Sequence, residues 1–286
     1  MKNSKINRRK FIKKTSIAGI GASVFPSIVP ASVFGNNAPS NKIQVGQIGC
    51  GRIARVHDMP GTMQHNSAKL IAVCDLDRNR KKDGKLLIDE YYAKKGEISD
   101  AKMFDNYQEL INNKEIDAVI ISTPDHWHSQ PAIEAALANK HVYVQKPTSL
   151  TIEEGRQLSD IVQRKNIILQ VGTQQRSSTQ FRYAAELVRN GRIGKLHTVK
   201  IGLPGDPSGP SAITEAVPSE LDYDGWLGST PDRPYSEMLT HPKVGYSRPG
   251  WLRDEQFGAG MITGWGQHHY DSAAWGMDTE FTGPTS

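Results

Sequence analysis

Two glycines and an alanine directly follow an apolar segment, in the pattern Gly49-x-Gly51-x-x-Ala54. Glycine at position 49 permits a tight turn, glycine at 51 lets a pyrophosphate approach the backbone, and Ala54 lets the next helix pack closely on a sheet. The free N–H groups and positive dipole end of that helix favour a phosphate. The pattern predicts a dinucleotide cradle, with Arg52 and Ile53 as further cofactor-binding residues of its loop.

An acid follows at the spacing that a dinucleotide site requires. A second apolar segment ends at Asp75, about 24 residues after Gly51. Dinucleotide-binding domains place a carboxylate about 20 residues beyond the glycines, where it accepts a hydrogen bond from the ribose hydroxyl. Asp75 favours NAD because its charge repels the 2′-phosphate of NADP. Arg80 could partly offset that repulsion, so NADP stays open as the alternative cofactor.

Two further polar motifs follow later apolar segments. One is Thr123-Pro124-Asp125-His126-Trp127-His128, and the other is Gln145-Lys146-Pro147. Open parallel sheets bind ligands at the carboxyl ends of their strands, so we expect both motifs at the same edge as the glycines. Asp125 is also predicted to cap the helix that follows it.

The elements that position these motifs alternate along the chain. Strands are predicted at 43–48, 69–75, 117–122, 141–145 and 167–171, and helices at 53–63, 78–95, 107–112, 127–139 and 151–165. Continuous apolar strands that alternate with helices are typical of a doubly wound parallel α/β sheet. Residues 41–172 are therefore predicted to form a dinucleotide-binding Rossmann domain.

The pattern changes in residues 173–286. A helix is predicted at 180–190, and 195–202 alternates like a strand of an antiparallel sheet. The following segment is rich in proline, glycine and serine. Too few strands remain to complete a second sheet, so we interpret 173–286 as a substrate domain that is incomplete in this chain.

The charge is concentrated at the N-terminus. The chain carries 35 basic and 30 acidic residues, and seven of the basic ones precede Gly35, which leaves 28 basic against 30 acidic residues. No basic stripe interleaved with aromatic residues occurs elsewhere, so nucleic acid is rejected as a partner. Cys50 and Cys74 are the only cysteines. They are too sparse for a disulfide framework and are interpreted as small buried residues.

The basic N-terminus contains an export-like motif. Residues 7–13 read Asn-Arg-Arg-Lys-Phe-Ile-Lys, similar to the twin-arginine motif, and a weakly apolar stretch follows at 17–33. That stretch is too short and interrupted to span a bilayer stably. Residues 1–35 are predicted to be a twin-arginine signal peptide, which implies a folded, cofactor-loaded protein in the periplasm with no stable membrane span after export.

The motifs together resemble the glucose–fructose oxidoreductase / inositol dehydrogenase / rhizopine-catabolism (Gfo/Idh/MocA) family, over residues 42–278. The resemblance implies a C-terminal α/β domain with an open, mostly antiparallel sheet, and a homo-oligomer built on that sheet. It also implies a sugar, glycoside or cyclitol as substrate, held over the nicotinamide, with hydride moving between a secondary alcohol carbon and a tightly bound cofactor.

The resemblance assigns roles by position. Lys146 matches the active-site lysine, which would polarise the substrate oxygen. Thr123, Pro124 and His128 match a cofactor-side motif, as does Gln145 before the lysine. The distal motif matches Gly264-x-x-x-His268-x-x-Asp271, with His268 as the catalytic acid or base and Asp271 on the substrate side. His269, adjacent to His268, and Arg176, from the segment Val171-Gly172-x-x-x-Arg176, are also predicted on the substrate side. His269 competes with His268 for the acid–base role, and Arg176 could equally brace the structure.

Two positions depart from the family pattern. Gln145 stands where glutamate usually precedes the lysine, and Gly264 stands where the distal motif usually has aspartate. The first removes a negative charge beside Lys146 from that position, so that lysine could titrate closer to neutral pH. The second removes a partner that would orient His268.

Alternative functions remain at this point. One is an NAD-dependent glycosidase or lyase that oxidises a sugar carbon transiently. Another is a non-catalytic carbohydrate-binding relative that has lost the acids at positions 145 and 264. A metal site could be built from His126, His128, His268, His269 and Asp271, but nothing in the sequence requires an ion, and none is predicted.

Overall fold

The computed structural model describes residues 41–205, 213–240 and 250–282. The predicted signal peptide at 1–35 therefore lies outside the described residues. Contacts group Lys42–Ser286 into one compact unit. The division into domains at residue 172 stays a prediction.

Six parallel strands form one sheet in the order β3-β2-β1-β4-β5-β6. The strands are β1 (Ile43–Ile48), β2 (Ala68–Cys74), β3 (Lys102–Phe104), β4 (Ala118–Ile121), β5 (His141–Val144) and β6 (Leu169–Val171). The order reverses direction beside β1, which is the doubly wound arrangement that the alternating pattern predicts. Strand β3 was missed because its three residues, of which two are exposed, are too few to carry a periodicity.

Helices connect the strands and cover both faces of the sheet. A π-helical turn (Ala54–Asp58) continues into α1 (Met59–Met63), and the others are α2 (Arg78–Lys94), α3 (Tyr107–Asn112), α4 (Ser129–Leu137) and α5 (Ile152–Lys165). One apolar cluster packs α1 and α2 against Val45, Leu70 and Val73. The other packs α3, α4 and α5 against Ile48, Ile121 and Val144. Helix α5 begins with the predicted capping box of Thr151 and Glu154.

The residues after β6 form short helices. These are α6 (Thr179–Arg189), α7 (Tyr223–Leu227), α8 (Glu237–Thr240), α9 (Gly260–Gly264) and α10 (Gly266–Met277), with 3₁₀ turns at Gln174–Ser177 and Gly250–Arg253. A third apolar cluster, which includes Tyr223, Trp226 and Phe257, packs α7 and α8 together. An antiparallel bridge between Asp77 and Leu221 attaches this segment to the end of β2.

Two local predictions are wrong. Residues 195–202 form no strand, because they are almost all exposed and no strand of the described part lies beside them to accept their backbone hydrogen bonds. Asp125 caps no helix: it begins a 3₁₀ turn (Asp125–Trp127), and α4 begins only at Ser129. Asp125 is buried instead.

Both cysteines are buried and free, as the apolar interpretation predicted. Cys50 packs beneath α2, where its sulfur lies so close to Gly84 that a Cβ there would be 2.8 Å from it. Across residues 41–205, 213–240 and 250–282, no helix has the length and apolar character needed to cross a membrane.

The turn after β1 generates the first testable prediction. Gly49 has φ of +82°, and a Cβ there would lie 2.8 Å from the backbone carbonyl of Ser122. We expect Gly49→Ala to lower the free energy of unfolding by about 2 kcal/mol, since a left-handed conformation alone costs an L-residue about 1–2 kcal/mol. Urea unfolding measures the change.

Gly51→Ala is the matched control. A Cβ at Gly51 would meet only the Arg80 Nη1 atom, at 3.7 Å. We expect its effect on stability to stay within about 0.5 kcal/mol. Equal stabilities for the two variants would contradict the steric argument.

Candidate active site

The register of the sheet aligns the ends of five strands at one edge. Ile48 pairs with both Cys74 and Ile121, Ile121 pairs with Val144, and Val144 pairs with Val171. Each next residue continues the ladder by a backbone hydrogen bond: Gly49 N donates to Cys74 O, Ser122 N to Ile48 O, and Gln145 N to Ile121 O. The predicted motifs therefore meet at this edge.

A cavity of about 840 Å³ lies along this edge, and we call it the strand-end cleft. Twelve of the residues predicted for cofactor binding or catalysis line it: Gly49, Gly51, Arg52, Ile53, Asp75, Arg80, Thr123, Pro124, His128, Gln145, Lys146 and His268. The sequence prediction of one shared site at the strand ends thus matches where the structure brings these side chains.

The glycine loop is held in shape from the end of β2. The Asp75 carboxylate accepts hydrogen bonds from the backbone N–H groups of Cys50 (2.6 Å) and Asp77 (2.8 Å). The Arg80 guanidinium lies beside Gly51. Asp75 therefore has a structural task in addition to its predicted one, because it ties the glycine loop to the first turn of α2.

The residues present fit a dinucleotide. Gly51 leaves open space where a side chain would obstruct a pyrophosphate, and the backbone that follows is helical from Arg52. Asp75 faces the strand-end cleft at the end of the second strand, where a ribose would lie. Gly49 makes the close approach to the β4 loop that the tight turn requires.

Lys146 and His268 come together at the other end of the cleft. The Lys146 ammonium donates a 2.8 Å hydrogen bond to the backbone carbonyl of Gly264, in α9. His268, one turn further along in α10, lies near enough for the positive charge of Lys146 to disfavour its protonated form. Burial and then Lys146 lower the pKa of His268 to about 4. Its imidazole is therefore neutral at neutral pH.

The structure separates the two competing histidines. His268 is 5 % exposed and lines the strand-end cleft. His269 does not line it and packs its ring against Trp265 instead, with ring centroids 5.8 Å apart. Gly264 also lines the cleft, and its backbone carbonyl accepts the hydrogen bond from Lys146. Lys146 is therefore anchored at this position although no acidic side chain is present there.

His128 is a buried brace between two strand ends. Its Nε2 faces the carbonyl of Thr123 at 2.9 Å, and its Nδ1 faces the carbonyl of Pro147. Burial lowers the pKa of His128 to about 4, although both carbonyls favour the protonated ring. A neutral ring donates from one nitrogen only. His128 therefore holds together the loop that follows β4, which contains Thr123, and the loop that follows β5, which contains Pro147. Both of its ring nitrogens face these protein atoms.

A buried acid that the sequence analysis missed lies beneath Lys146. Asp58 is 8 % exposed and accepts hydrogen bonds from Ser122 Oγ (2.6 Å) and Gln145 Nε2 (2.8 Å). The departure at Gln145 therefore does not leave the site without a carboxylate. A signal was available: Asp58 follows Ala54 by four residues, which places it on the helix face that packs on the sheet.

Three residues predicted on the substrate side lie elsewhere. Arg176, Asp271 and His269 do not line the strand-end cleft. Arg176 forms a two-pronged ion pair with Asp271, at 2.7 and 2.8 Å, and its guanidinium stacks on Trp275 at 4.8 Å. Of the two roles that the sequence left open for Arg176, the geometry favours the brace, because the pair joins the Gln174–Ser177 turn to α10.

Aromatic side chains form part of the lining of the cleft. Trp127, Trp226, Trp251 and Trp265 all line it. The Nε1 of Trp127 and the Nε2 of His126 both contact the carbonyl of Trp226, so the β4 loop is attached to α7. In the described ranges, no three His, Cys, Asp or Glu side chains are grouped so that they could hold a metal ion.

The fold and the cleft define a dinucleotide-binding Rossmann protein with a lysine and a histidine beside the cofactor cradle. Residues 43–173 match the family model for the oxidoreductase family with an NAD-binding Rossmann fold. Residues 208–286 match the model for the C-terminal α/β domain of the same family. The chain belongs to the Gfo/Idh/MocA oxidoreductase family, and its cofactor is NAD.

Individual relatives share about 30 % sequence identity with this chain. A myo-inositol 2-dehydrogenase from Thermotoga maritima is 29 % identical over 183 residues, which is 63 % of this chain and 48 % of the relative. A glycosyl hydrolase family 109 protein from Shewanella sp. is 30 % identical over 217 residues, or 68 % of this chain and 45 % of the relative. The chain thus spans about half the length of the curated relatives it matches.

A solved structure supports the fold alone. The structure of GenD2 from gentamicin A biosynthesis, in complex with NAD, matches with a TM-score of 0.58 at 19 % identity. The match covers 84 % of this chain and 54 % of that one.

The burial of His128 predicts a pH dependence of stability. An unfolded histidine titrates near pH 6.5, whereas His128 titrates at about 4, so between these values the unfolded state binds more protons and stability falls as the pH falls. We expect the stability gap between the wild type and His128→Gln to narrow by about 3 kcal/mol from pH 6.5 to pH 4. Urea unfolding at several pH values measures it.

The comparison isolates His128 from the other buried groups. Burial raises the pKa of Asp125 to about 7, so its contribution makes stability rise as the pH falls, which is opposite to the effect of His128. Asp125 and His268 are present in both proteins, so their contributions to the pH dependence cancel in the difference. A gap that does not change with pH would contradict the assignment of a buried neutral ring.

The Arg176–Asp271 pair distinguishes a brace from a substrate ligand. We expect Arg176→Lys to lower the free energy of unfolding by about 1 kcal/mol, because the pair is half-exposed and a lysine cannot form both hydrogen bonds. The affinity of the NAD-loaded protein for an added sugar or cyclitol, measured by titration calorimetry, should not change. Unchanged stability together with loss of ligand binding would refute the brace.

Proposed function

We propose that this chain belongs to an exported dehydrogenase that transfers hydride between bound NAD and a secondary hydroxyl carbon of a sugar, glycoside or cyclitol. The observation that carries the proposal is the meeting of Lys146 and His268 in the strand-end cleft that also holds the glycine loop. The family and the Thermotoga maritima inositol dehydrogenase relative support the substrate class.

The proposed chemistry divides between the cofactor and the chain. NAD supplies the hydride acceptor when it is bound. Lys146, which donates to the Gly264 carbonyl beside the cleft, would polarise a substrate oxygen as that oxygen loses its proton. The neutral imidazole of His268 can accept that proton, since its pKa of about 4 leaves it unprotonated at neutral pH.

The lining of the cleft supports a ring-shaped, polyhydroxylated substrate. Trp127, Trp251 and Trp265 offer flat apolar surfaces beside Lys146 and His268. Such surfaces suit the C–H faces of a sugar or cyclitol, while the lysine and histidine suit its hydroxyl groups.

A second candidate is a glycosidase that uses NAD transiently. The Shewanella glycosyl hydrolase family 109 relative, which aligns with 68 % of this chain, favours it. In this variant Lys146 and His268 would bind and deprotonate the hydroxyl of one sugar carbon, with bound NAD supplying the hydride acceptor. The carbonyl group formed would acidify the neighbouring C–H, so that loss of that proton expels the glycosidic oxygen, and water would then add to the double bond. The hydride would then return, so NAD shows no net change.

Export and assembly are part of the proposal. The twin-arginine-like residues 7–13 support transport of the folded protein to the periplasm. No nicotinamide pool is available there for exchange, so we infer a tightly held cofactor that one substrate reduces and another substrate or an external acceptor reoxidises. A homo-oligomer is proposed from the family resemblance. Cell fractionation of the full-length protein, compared with Arg8→Lys/Arg9→Lys, tests the export.

The activity is tested on purified full-length protein without added cofactor. We expect the absorbance of reduced nicotinamide to rise when myo-inositol, free sugars or glycosides are added singly. Lys146→Met and His268→Gln should each reduce the rate on the order of 10²- to 10⁴-fold, the usual contribution of acid–base catalysis.

Other outcomes select the alternatives. Cleavage of a glycoside without net reduction would favour the transient-redox glycosidase. Binding of sugars without reduction or cleavage, in protein that contains NAD, would favour a non-catalytic carbohydrate-binding protein. An unaltered rate in Lys146→Met would remove the lysine from the mechanism.

A further inference from the structure

A chain of buried polar side chains runs beneath the strand-end cleft. Gln47 Nε2 donates to Ser122 Oγ at 3.0 Å, Ser122 Oγ donates to Asp58 Oδ2, and Gln145 Nε2 donates to Asp58 Oδ1. All four residues are buried. One carboxylate therefore accepts a hydrogen bond on each of its oxygens, from two neighbouring strand ends.

The network leads directly to Lys146. The amide of Gln145 donates from Nε2 to Asp58, and its Oε1 lies 3.4 Å from the backbone nitrogen of Lys146. Asp58 thus determines which way the Gln145 amide is turned, because a carboxylate can only accept. The orientation of that amide in turn places an acceptor beside the N–H of Lys146.

The network also brings charge near Lys146. Burial raises the pKa of Asp58, whereas its hydrogen bonds from Ser122 and Gln145 and the positive charges of His57 and Lys146 oppose that rise. Asp58 and Lys146 therefore favour each other's charged forms. Burial is the largest of these effects, and the two hydrogen bonds and the charge of Lys146 each favour the carboxylate form against it.

Other titratable groups surround the pair. Lys146 is also near Asp125, His128 and His268, and Asp58 is also near His57 and Tyr143. His128 and His268 are neutral at neutral pH, and burial raises the pKa of Asp125 to about 7. Among these groups, Asp58 is the acid that accepts a direct hydrogen bond from Gln145, the residue that precedes Lys146.

We propose that Asp58 is a positioning residue that supplies the counter-charge for Lys146 and sets the orientation of Gln145. One consequence, that Lys146 meets the substrate as an ammonium group, rests on the proposed function. The charge state of Lys146 itself is independent of which sugar is bound.

The pair offers an exchange test. In Asp58→Asn/Gln145→Glu, the new amide at position 58 can accept from Ser122 and donate to the new carboxylate at position 145. The hydrogen bonds are kept with one donor and acceptor reversed, and the negative charge moves across a single 2.8 Å hydrogen bond. Asp58→Asn alone removes the charge and leaves two amides facing each other.

Lys146 is read out directly. The full-length protein is acetylated with trace acetic anhydride over a pH series, and peptide mass spectrometry compares Lys146 with the exposed Lys114 as internal reference. We expect Asp58→Asn to lower the pKa of Lys146 by about one unit, the lower end of the effect of a nearby opposite charge. The exchanged double variant should restore the wild-type value.

Asp160→Asn is the matched control, because it makes the same carboxylate-to-amide change on the exposed face of α5 and should leave Lys146 unchanged. Asp125 is intact in every variant, so its influence on Lys146 cancels. An equal pKa for Lys146 in the wild type and Asp58→Asn, or a double variant that fails to restore it, would overturn the proposal.

Folding and activity failures are separable. If Asp58→Asn does not fold, a folded double variant with a wild-type Lys146 pKa supports the proposal, and an unfolded double variant overturns it. If the wild type reduces no NAD with any sugar, the proposed function fails while the labelling result still decides the role of Asp58. Where activity is found, the part of the pH–rate profile that reports Lys146 should shift by the same amount as the pKa of Lys146 that is measured by acetylation.

Discussion

The parallel register of β1, β2, β4 and β5 is the constraint on which the site depends. Because Cys74 pairs with Ile48, Ile48 with Ile121, and Ile121 with Val144, the chain leaves all four strands at one level. The same edge of the sheet therefore carries the glycine loop, Asp75, the Thr123–His128 segment and Gln145–Lys146. A register slip would move a whole strand's side chains to the opposite face and disperse the site.

Burial determines the chemical state of the groups collected at this edge. The imidazoles of His128 and His268 are neutral because they are removed from water, yet they serve different purposes. His128 has both nitrogens directed at backbone carbonyls, whereas His268 faces the cleft. At Asp58, two hydrogen bonds oppose the effect of burial and favour the carboxylate form. Burial therefore favours the neutral form of both Asp58 and His128, and the hydrogen bonds of these two residues oppose it.

Most of the fold was predictable from local patterns. Apolar runs of strand length separated by helices specify a parallel sheet, and the spacing of Gly49, Gly51 and Asp75 specifies its ligand edge. Predictions failed where local pattern and tertiary context disagree. The alternation at 195–202 had no neighbouring strand to pair with. Asp125 resembled a helix cap, but it is enclosed between the β4 loop and the C-terminal segment, close to Gly258.

The amino-acid sequence by itself indicated the family, the sheet, the NAD cradle and the place of Lys146 at the strand ends, because each of these rests on residue types at short, regular spacings. Only the tertiary structure showed that His268 lines the strand-end cleft and His269 does not, paired Arg176 with Asp271, and revealed Asp58 as the partner of Gln145. The contact between Asp58 and Gln145 joins residues 87 positions apart in the sequence, and the contact between Lys146 and Gly264 joins residues 118 positions apart. Such contacts follow from how strand ends and helices are stacked, which no local spacing encodes.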